Sequence, residues 1–289
     1  MTADLVDLAA LRAFLVAHAV AGLDDVEVLA DGTTRHRRLV AGSAGVRSRL
    51  TVTLPAGVVG TPSIQAEGPP DVVGAATAVG GRWLGLDADP APGVAWLADD
   101  PLLGPLVRAR PHLRVPGSTD AFETAVLVVL GQHVSLAAGR VFAARLVAAH
   151  GTQLGELRAF PEPGVLAALD PSSLRDAVGL TGARARTVVA IAGAVADGIL
   201  RLRPASAPEL AETRRALLAL PGVGPWTADL VALRALRDPD VFLPGDLVLR
   251  RALGGVGPTA AEAMADAWRP HRSLAVLHLW THHAIDPPR

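Results

Sequence analysis

The chain reads as an α+β protein: an antiparallel sheet with helices at the N-terminal end, then mostly helical domains. Three observations predict this. Residues 26–54 alternate apolar and polar side chains in VEVLA and RSRLTVTL and are broken by glycine turns, the pattern of half-buried antiparallel strands. From Asp99 onward every strong periodic signal is helical. Near residue 222 two helical stretches meet at the tight, glycine-bearing run PGVGP.

The elements follow in order. Residues 8–20 form an amphipathic helix ahead of the strands, and residues 71–84 read as a second helix despite their glycines. Together these make an α+β domain over residues 1–90. Residues 87–93 (DADPAPG) read as a linker, and residues 91–119 hold that linker and a first helical segment. Asp120 caps an apolar helix at 121–130, with Glu123 three residues on as in a capping box. Residues 135–150 form the next helix, Asp170-Pro171-Ser172-Ser173 cap a third, and 182–200 form a fourth. Residues 208–220 carry acids early and Arg214-Arg215 late, as a helix dipole favours. Residues 226–237 place apolar side chains at 226, 230, 233 and 236, one stripe at helical spacing. A helical domain thus spans 120–238, and a C-terminal helical segment spans 239–289.

Composition narrows the function classes. The 289 residues allow two or three domains, and half are hydrophobic, enough for sizeable cores. No run has the length and purity of a transmembrane span, and the acidic start is not a signal peptide, so a cytoplasmic protein without membrane partners is expected. Cysteine is absent, which excludes disulfides, thiol catalysis and a cysteine-ligated iron–sulfur cluster. The net charge of −1 argues against nucleic acid on its face. Its distribution does not: residues 1–100 hold 7 Arg against 12 acids, residues 101–289 hold 20 Arg against 16. Every basic residue apart from His is Arg; the chain has no Lys.

The segment from Leu220 to Asp246, LPGVGPWTADLVALRALRDPDVFLPGD, carries the most chemistry. The hairpin around Gly222, Val223 and Gly224 offers backbone N–H groups at a helix start, a natural grip for phosphate. Thr227, in the first turn of the following helix, could add a hydroxyl contact. An ordinary αα-hairpin is the competing reading. Asp246 follows Pro244-Gly245 and precedes a short helical pattern at 247–253, so local sequence alone makes it an N-cap. A phosphate grip followed by a lone acid suggests an enzyme acting on nucleic acid. Asp238 and Asp240 read as solvated loop acids, and the nine His form no convincing zinc set.

LPGVGPWTA resembles the helix-hairpin-helix motif of the endonuclease III superfamily of DNA glycosylases. VFLPGD, AWRPHRSLAVLHLW, DAFETAVLVVLGQHVS and LRAFLVAHAV resemble the AlkA type, DNA-3-methyladenine glycosylase II, in order along nearly the whole chain. The resemblance implies glycosylase domains in the helical part and base release from damaged double-stranded DNA by a monomer. It puts Asp246 on the catalytic aspartate and Trp226, Trp280 and Phe14 on pocket positions. Leu230, Leu247 and Thr281 stand where relatives can carry tyrosines, which implies a wider, less stacking pocket. His133 falls on the position of the inserting side chain, commonly Leu or Gln in relatives, with Gln132 beside it facing the groove; a plain polar turn explains both equally well. The carbonyls of Leu220 and Val223 could hold a monovalent cation, Na+ or K+, bridging to phosphate. Strand-nicking relatives carry a Lys two residues after the second hairpin glycine, where this chain has Trp226, so a monofunctional enzyme is implied. Arg272 steadies the Asp246 loop or touches phosphate.

The leading expectation is a monofunctional glycosylase releasing alkylated purines of the 3-methyladenine and 7-methylguanine type. The alternatives are a non-catalytic damage-binding protein, or a glycosylase for deaminated or oxidised purines.

Overall fold

The computed structural model describes residues 5–41, 46–203 and 206–285; the extreme N-terminus, read above as part of an acidic start, lies outside the described residues. At the N-terminal end, β1 (Val6–Asp7) leads into α1 (Leu8–His18), whose N-cap Asp7 accepts the Ala10 N–H at 2.8 Å. Then come β2 (Asp24–Val28), β3 (Thr34–Ala41), β4 (Arg47–Leu54), β5 (Val59–Gly60), β6 (Ser63–Glu67) and α2 (Pro70–Leu84). Strands β2, β3, β4 and β6 form an antiparallel sheet in that spatial order, while β5 pairs with β1. The alternation read in RSRLTVTL is the sheet's pleat: along β4, residues 48, 50, 52 and 54 are buried, whereas the VEVLA stretch enters β2, which has no buried residue. The glycines of α2 have a packing reason. A Cβ on Gly80 would stand 2.7 Å from Ile64 Cγ2, so the missing side chain lets the helix lie close on the sheet.

The remainder is helical, apart from the small hairpin of β7 (Thr152–Leu154) and β8 (Leu157–Ala159). The helices before the glycine turn are α3 (Ala91–Leu97), α4 (Leu103–Ala109), α5 (Ala121–Leu130), α6 (Leu136–His150), α7 (Pro163–Ala167), α8 (Pro171–Val178), α9 (Gly182–Ala196) and α10 (Ala207–Leu218). After it come α11 (Pro225–Val231), α12 (Leu247–Ala252), α13 (Pro258–Ala265) and α14 (Arg272–Ile285). Side-chain caps set several starts: Asp120 takes the Glu123 N–H, Ser135 the Ala138 N–H, and Asp170 those of Ser172 and Ser173. One apolar core joins α5, α6, α8 and α9 to Val223 and Val231; a second joins α4, α12 and α14 to the VFLP segment. Helix α11 sits between the two, and that position governs the site.

Two expectations need correction. The helical stripe at 226–237 is not one α-helix, because α11 runs into a π turn at Ala232–Leu236 that ends at Arg237 with φ 62°. The capping box at Asp120 is only half made. Glu123 does not reach back to the cap; Arg38 of β3 holds it with two bonds of 2.7 and 2.8 Å. An isolated helix leaves that glutamate to its own N-terminus, whereas here a buried guanidinium claims it and so joins sheet to helix.

Candidate active site

Asp246 caps α12 as local sequence predicts. Its Oδ1 accepts the N–H groups of Val248 and Leu249, each at 3.0 Å. It also does more than cap. Trp280 of α14 donates its indole N–H to Oδ1 at 3.2 Å, and Trp226 of α11 donates to Oδ2 at 3.3 Å. Four N–H donors from three elements therefore aim at one half-buried carboxylate and fix its plane. Gly245 and Leu247 on either side are exposed, Leu247 to 62 %, so this loop lies at the surface.

The loop beneath it is stiff. Val241, Phe242 and Leu243 are buried, and the Asp246 N–H donates to the Leu243 carbonyl at 3.0 Å. Ser273 Oγ accepts the Val241 N–H at 3.0 Å and donates to the Asp238 carbonyl at 2.6 Å. Asp240 is not a solvated acid: Arg272 donates to it at 2.8 Å and Arg269 at 2.6 Å. Asp238 accepts the Asp240 N–H at 2.9 Å, so it too is structural. Arg272, which also meets Glu262 at 3.2 Å, is consumed in anchoring this loop.

Trp226, Leu230 and Trp280 are each half-buried against the second core. Thr281, beside Trp280, is buried at 8 % exposure. Phe14 belongs to the N-terminal core and is half-buried. It enters the site's neighbourhood through Arg234, whose guanidinium carbon lies 4.1 Å from its ring centroid. Trp226, Leu230 and Arg234 recur every fourth residue and so share one face of the α11–π segment. Sequence reasoning passed over Arg234; the only available signal was a charged residue continuing that stripe.

The hairpin projects beside this stripe, with Gly222, Gly224 and Pro225 exposed. Gly222 has φ 80°, and a Cβ there would collide with Thr187 Oγ1 of α9, so only glycine fits. Gly224 has no such constraint: an added Cβ would meet nothing within 4 Å. Two of the expected phosphate contacts change. The Val223 N–H donates to the Leu220 carbonyl at 3.2 Å, and Val223 itself is buried, so that amide points inward. Thr227 is 4 % exposed and its hydroxyl accepts from Gln132 Nε2 at 2.7 Å, so the side chain is turned toward Gln132 inside the protein. Gln132 Nε2 also donates to the Gly222 carbonyl at 3.2 Å, and Arg184 donates to the Gln132 carbonyl. The amide end of Gln132 therefore faces the hairpin and not a groove. His133, next to it, is exposed with φ 54°, a left-handed backbone uncommon for residues with a side chain.

Two cavities lie elsewhere. One of about 200 Å³ is lined by Leu39, Arg47, Asp120, Glu123 and Glu162; another of about 130 Å³ is lined by Asp89, Arg114, Arg237, Asp238 and His271. Asp246 lines neither. Among the described residues no His, Cys, Asp and Glu cluster could hold a metal ion, and no single helix is long and apolar enough to cross a membrane.

Residues 5–120 match the AlkA N-terminal domain family. The chain is 40 % identical over 182 residues to DNA-3-methyladenine glycosylase 2 of Escherichia coli, a match covering 62 % of this chain and 63 % of that enzyme. It is 30 % identical over 210 residues to the DNA-3-methyladenine glycosylase of Bacillus subtilis, covering 69 % of each. Its fold superposes on a 3-methyladenine DNA glycosylase from Archaeoglobus fulgidus with a TM-score of 0.78 at 20 % identity, over 97 % of this chain and 96 % of that one. Sequence and fold together place the chain in the AlkA-type DNA-3-methyladenine glycosylase family.

Proposed function

We propose that the chain is a monofunctional DNA glycosylase that binds double-stranded DNA as a monomer and releases alkylated purines, the first step of base excision repair. One observation carries the reading: the Asp246 carboxylate is oriented by two backbone and two indole N–H groups, one of them from Trp226 just after the exposed glycine hairpin. A capping aspartate needs no indoles. Their presence suits an acid that must hold a fixed direction.

The reaction breaks the bond from sugar C1′ to a purine nitrogen. Positive charge grows on the sugar as the base departs, and a pre-aligned carboxylate lowers that barrier electrostatically. The same carboxylate orients the attacking water. Purines alkylated at N3 or N7 are already cationic and leave without a strong general acid, so one Asp suffices. The base must first be extruded from the duplex. His133, exposed on a turn that Gln132 and Arg184 brace, is the candidate to fill the gap. Trp226, Trp280 and Phe14 are the candidate stacking surfaces, with Leu247 at the rim. Leu230 and Thr281 leave the pocket wider than tyrosines would.

The exposed Gly222 and Gly224 segment is the candidate backbone grip on phosphate, and binding should weaken steeply with salt. A monovalent cation suits the hairpin's carbonyl oxygens, which are hard ligands. The Leu220 carbonyl already accepts the Val223 N–H and Gly222 the Gln132 amide, so Val223 and the second lone pair of Leu220 are what remains for it. With no Lys in the chain, no internal amine is available to form a Schiff base, which supports base release without strand cleavage.

The test is a panel: release of 3-methyladenine, 7-methylguanine, hypoxanthine and 8-oxoguanine from duplex DNA, with borohydride added in parallel. The proposal expects release of the two methylated bases, an intact abasic strand and no trapped internal adduct. Binding without any release contradicts it.

A further inference from the structure

We propose that Arg234 is a positioning residue that acts through Phe14, placing a fixed positive charge at the base end of the site opposite the negative charge of Asp246 at the sugar end. The inference deepens the glycosylase reading and rests on it.

Arg234 is anomalous for its surroundings. It is partly buried, with its guanidinium over the Phe14 ring of α1, yet no carboxylate pairs with it among the described residues. It lies over the face of Phe14 at 4.1 Å, makes one long bond of 3.4 Å to the Gly117 carbonyl, and helps hold down the pKa of His18, whose ring stacks on Phe14. The nearest charge of note is another cation, Arg237. Burial, with help from Arg237, pushes the Arg234 guanidinium down to about 9, so it stays charged at neutral pH. A partly buried cation without a counter-ion is a poor stability device, and an apolar residue of like volume would serve a core better. Arg38 shows what a structural arginine looks like in this same protein: it crosses between the domains too, and Glu123 and Asp24 meet it.

Its placement gives the charge a direction. Trp226, which touches Asp246, and Arg234 lie eight residues apart on one helical face, about 12 Å along the axis. Leu230 lies between them. A flipped nucleotide with its sugar at Asp246 therefore extends its purine toward Phe14, and the guanidinium stands behind that ring. For a cationic base, positive charge moves from base to sugar during bond breaking, so a cation behind the base raises the ground state and relaxes as the neutral base leaves. For a neutral base, negative charge gathers on the departing purine, and the same cation attracts it. Arg234 accelerates both reactions but opposes binding only of the cationic lesion.

The experiment measures kcat and KM on duplexes holding 7-methylguanine or hypoxanthine for wild-type, R234M and R234K proteins, with R234Q replacing R234M if that variant fails to fold. In R234M, kcat is expected to fall about tenfold for both lesions. KM should fall with it for 7-methylguanine and stay unchanged for hypoxanthine. R234K, which keeps the charge, should remain within a few-fold of wild type. On a non-cleavable 2′-fluorinated 7-methylguanine duplex, R234M should bind more tightly than wild type. A KM that rises for both lesions, or a kcat that does not move, overturns the proposal and leaves Arg234 as a prop for Phe14. No base release by the wild-type chain overturns the glycosylase reading itself, and this proposal with it.

Discussion

Asp170 and Asp246 begin their helices in nearly the same way. Each follows a loop, sits in extended backbone and accepts two amide N–H groups of the next turn, at 3.0 and 3.1 Å in Asp170 and at 3.0 Å twice in Asp246. Beyond the cap they differ. Asp170 is exposed, and its further partner is the hydroxyl of Ser172, two residues away. Asp246 is half-buried, and its further partners are two indoles, 20 and 34 residues away in sequence. A cap is a local device that any helix can use. Convergence of distant rings on the same carboxylate is what separates a site from a cap.

The contrast can be broken in several places. The largest effect is expected at the acid itself: Asp246→Asn should lower base release by about a thousandfold or more, the scale of losing a key electrostatic contact to a transition state. Asp170→Asn should leave release unchanged. Both variants keep a good capping side chain, so single-turnover kinetics on methylated duplex isolates the charge.

Stability should move separately from the site. His278 shares α14 with Trp280, is 2 % exposed, and its Nε2 has no partner. Burial depresses it from 6.5 to about 4, so the folded state favours the neutral ring. The resulting stability is fully present above pH 6.5 and is lost as pH falls toward 4, up to about 3 kcal/mol from this group. Denaturant melts of His278→Leu should show a flatter acid limb than wild type over that window; identical slopes would sink the assignment.

Turning Asp246 into a plain cap is the next step down. Trp226→Phe combined with Trp280→Phe keeps the rings and removes both N–H donors. We expect about a ten- to hundredfold drop in kcat, equivalent to one or two hydrogen bonds to a charge, with stability little changed. The smallest effect belongs to Asp170→Ala: a slight fall in melting temperature and wild-type turnover.

Local signals carried most of the fold. Caps at Asp120 and Asp170 and the alternation in β4 are short-range events that leave their mark within a few residues. The strands β1, β5, β7 and β8 escaped because each has only two or three residues, too short for a period to show. In the candidate site, the hairpin and Asp246 were legible as a spacing, and the family resemblance supplied the rings. The inward turn of Gln132 was not legible, since its partners Gly222 and Thr227 lie 90 and 95 residues away. Neither was Arg234 stacked on Phe14, because pairing a charge with a ring across two domains has no local pattern.

The most direct measurement compares affinity with turnover in Asp246→Asn. Retained binding to an abasic-site duplex, within a few-fold of wild type, together with loss of 7-methylguanine release is the predicted result. Release at the wild-type rate by that variant would show that the carboxylate is only the start of a helix.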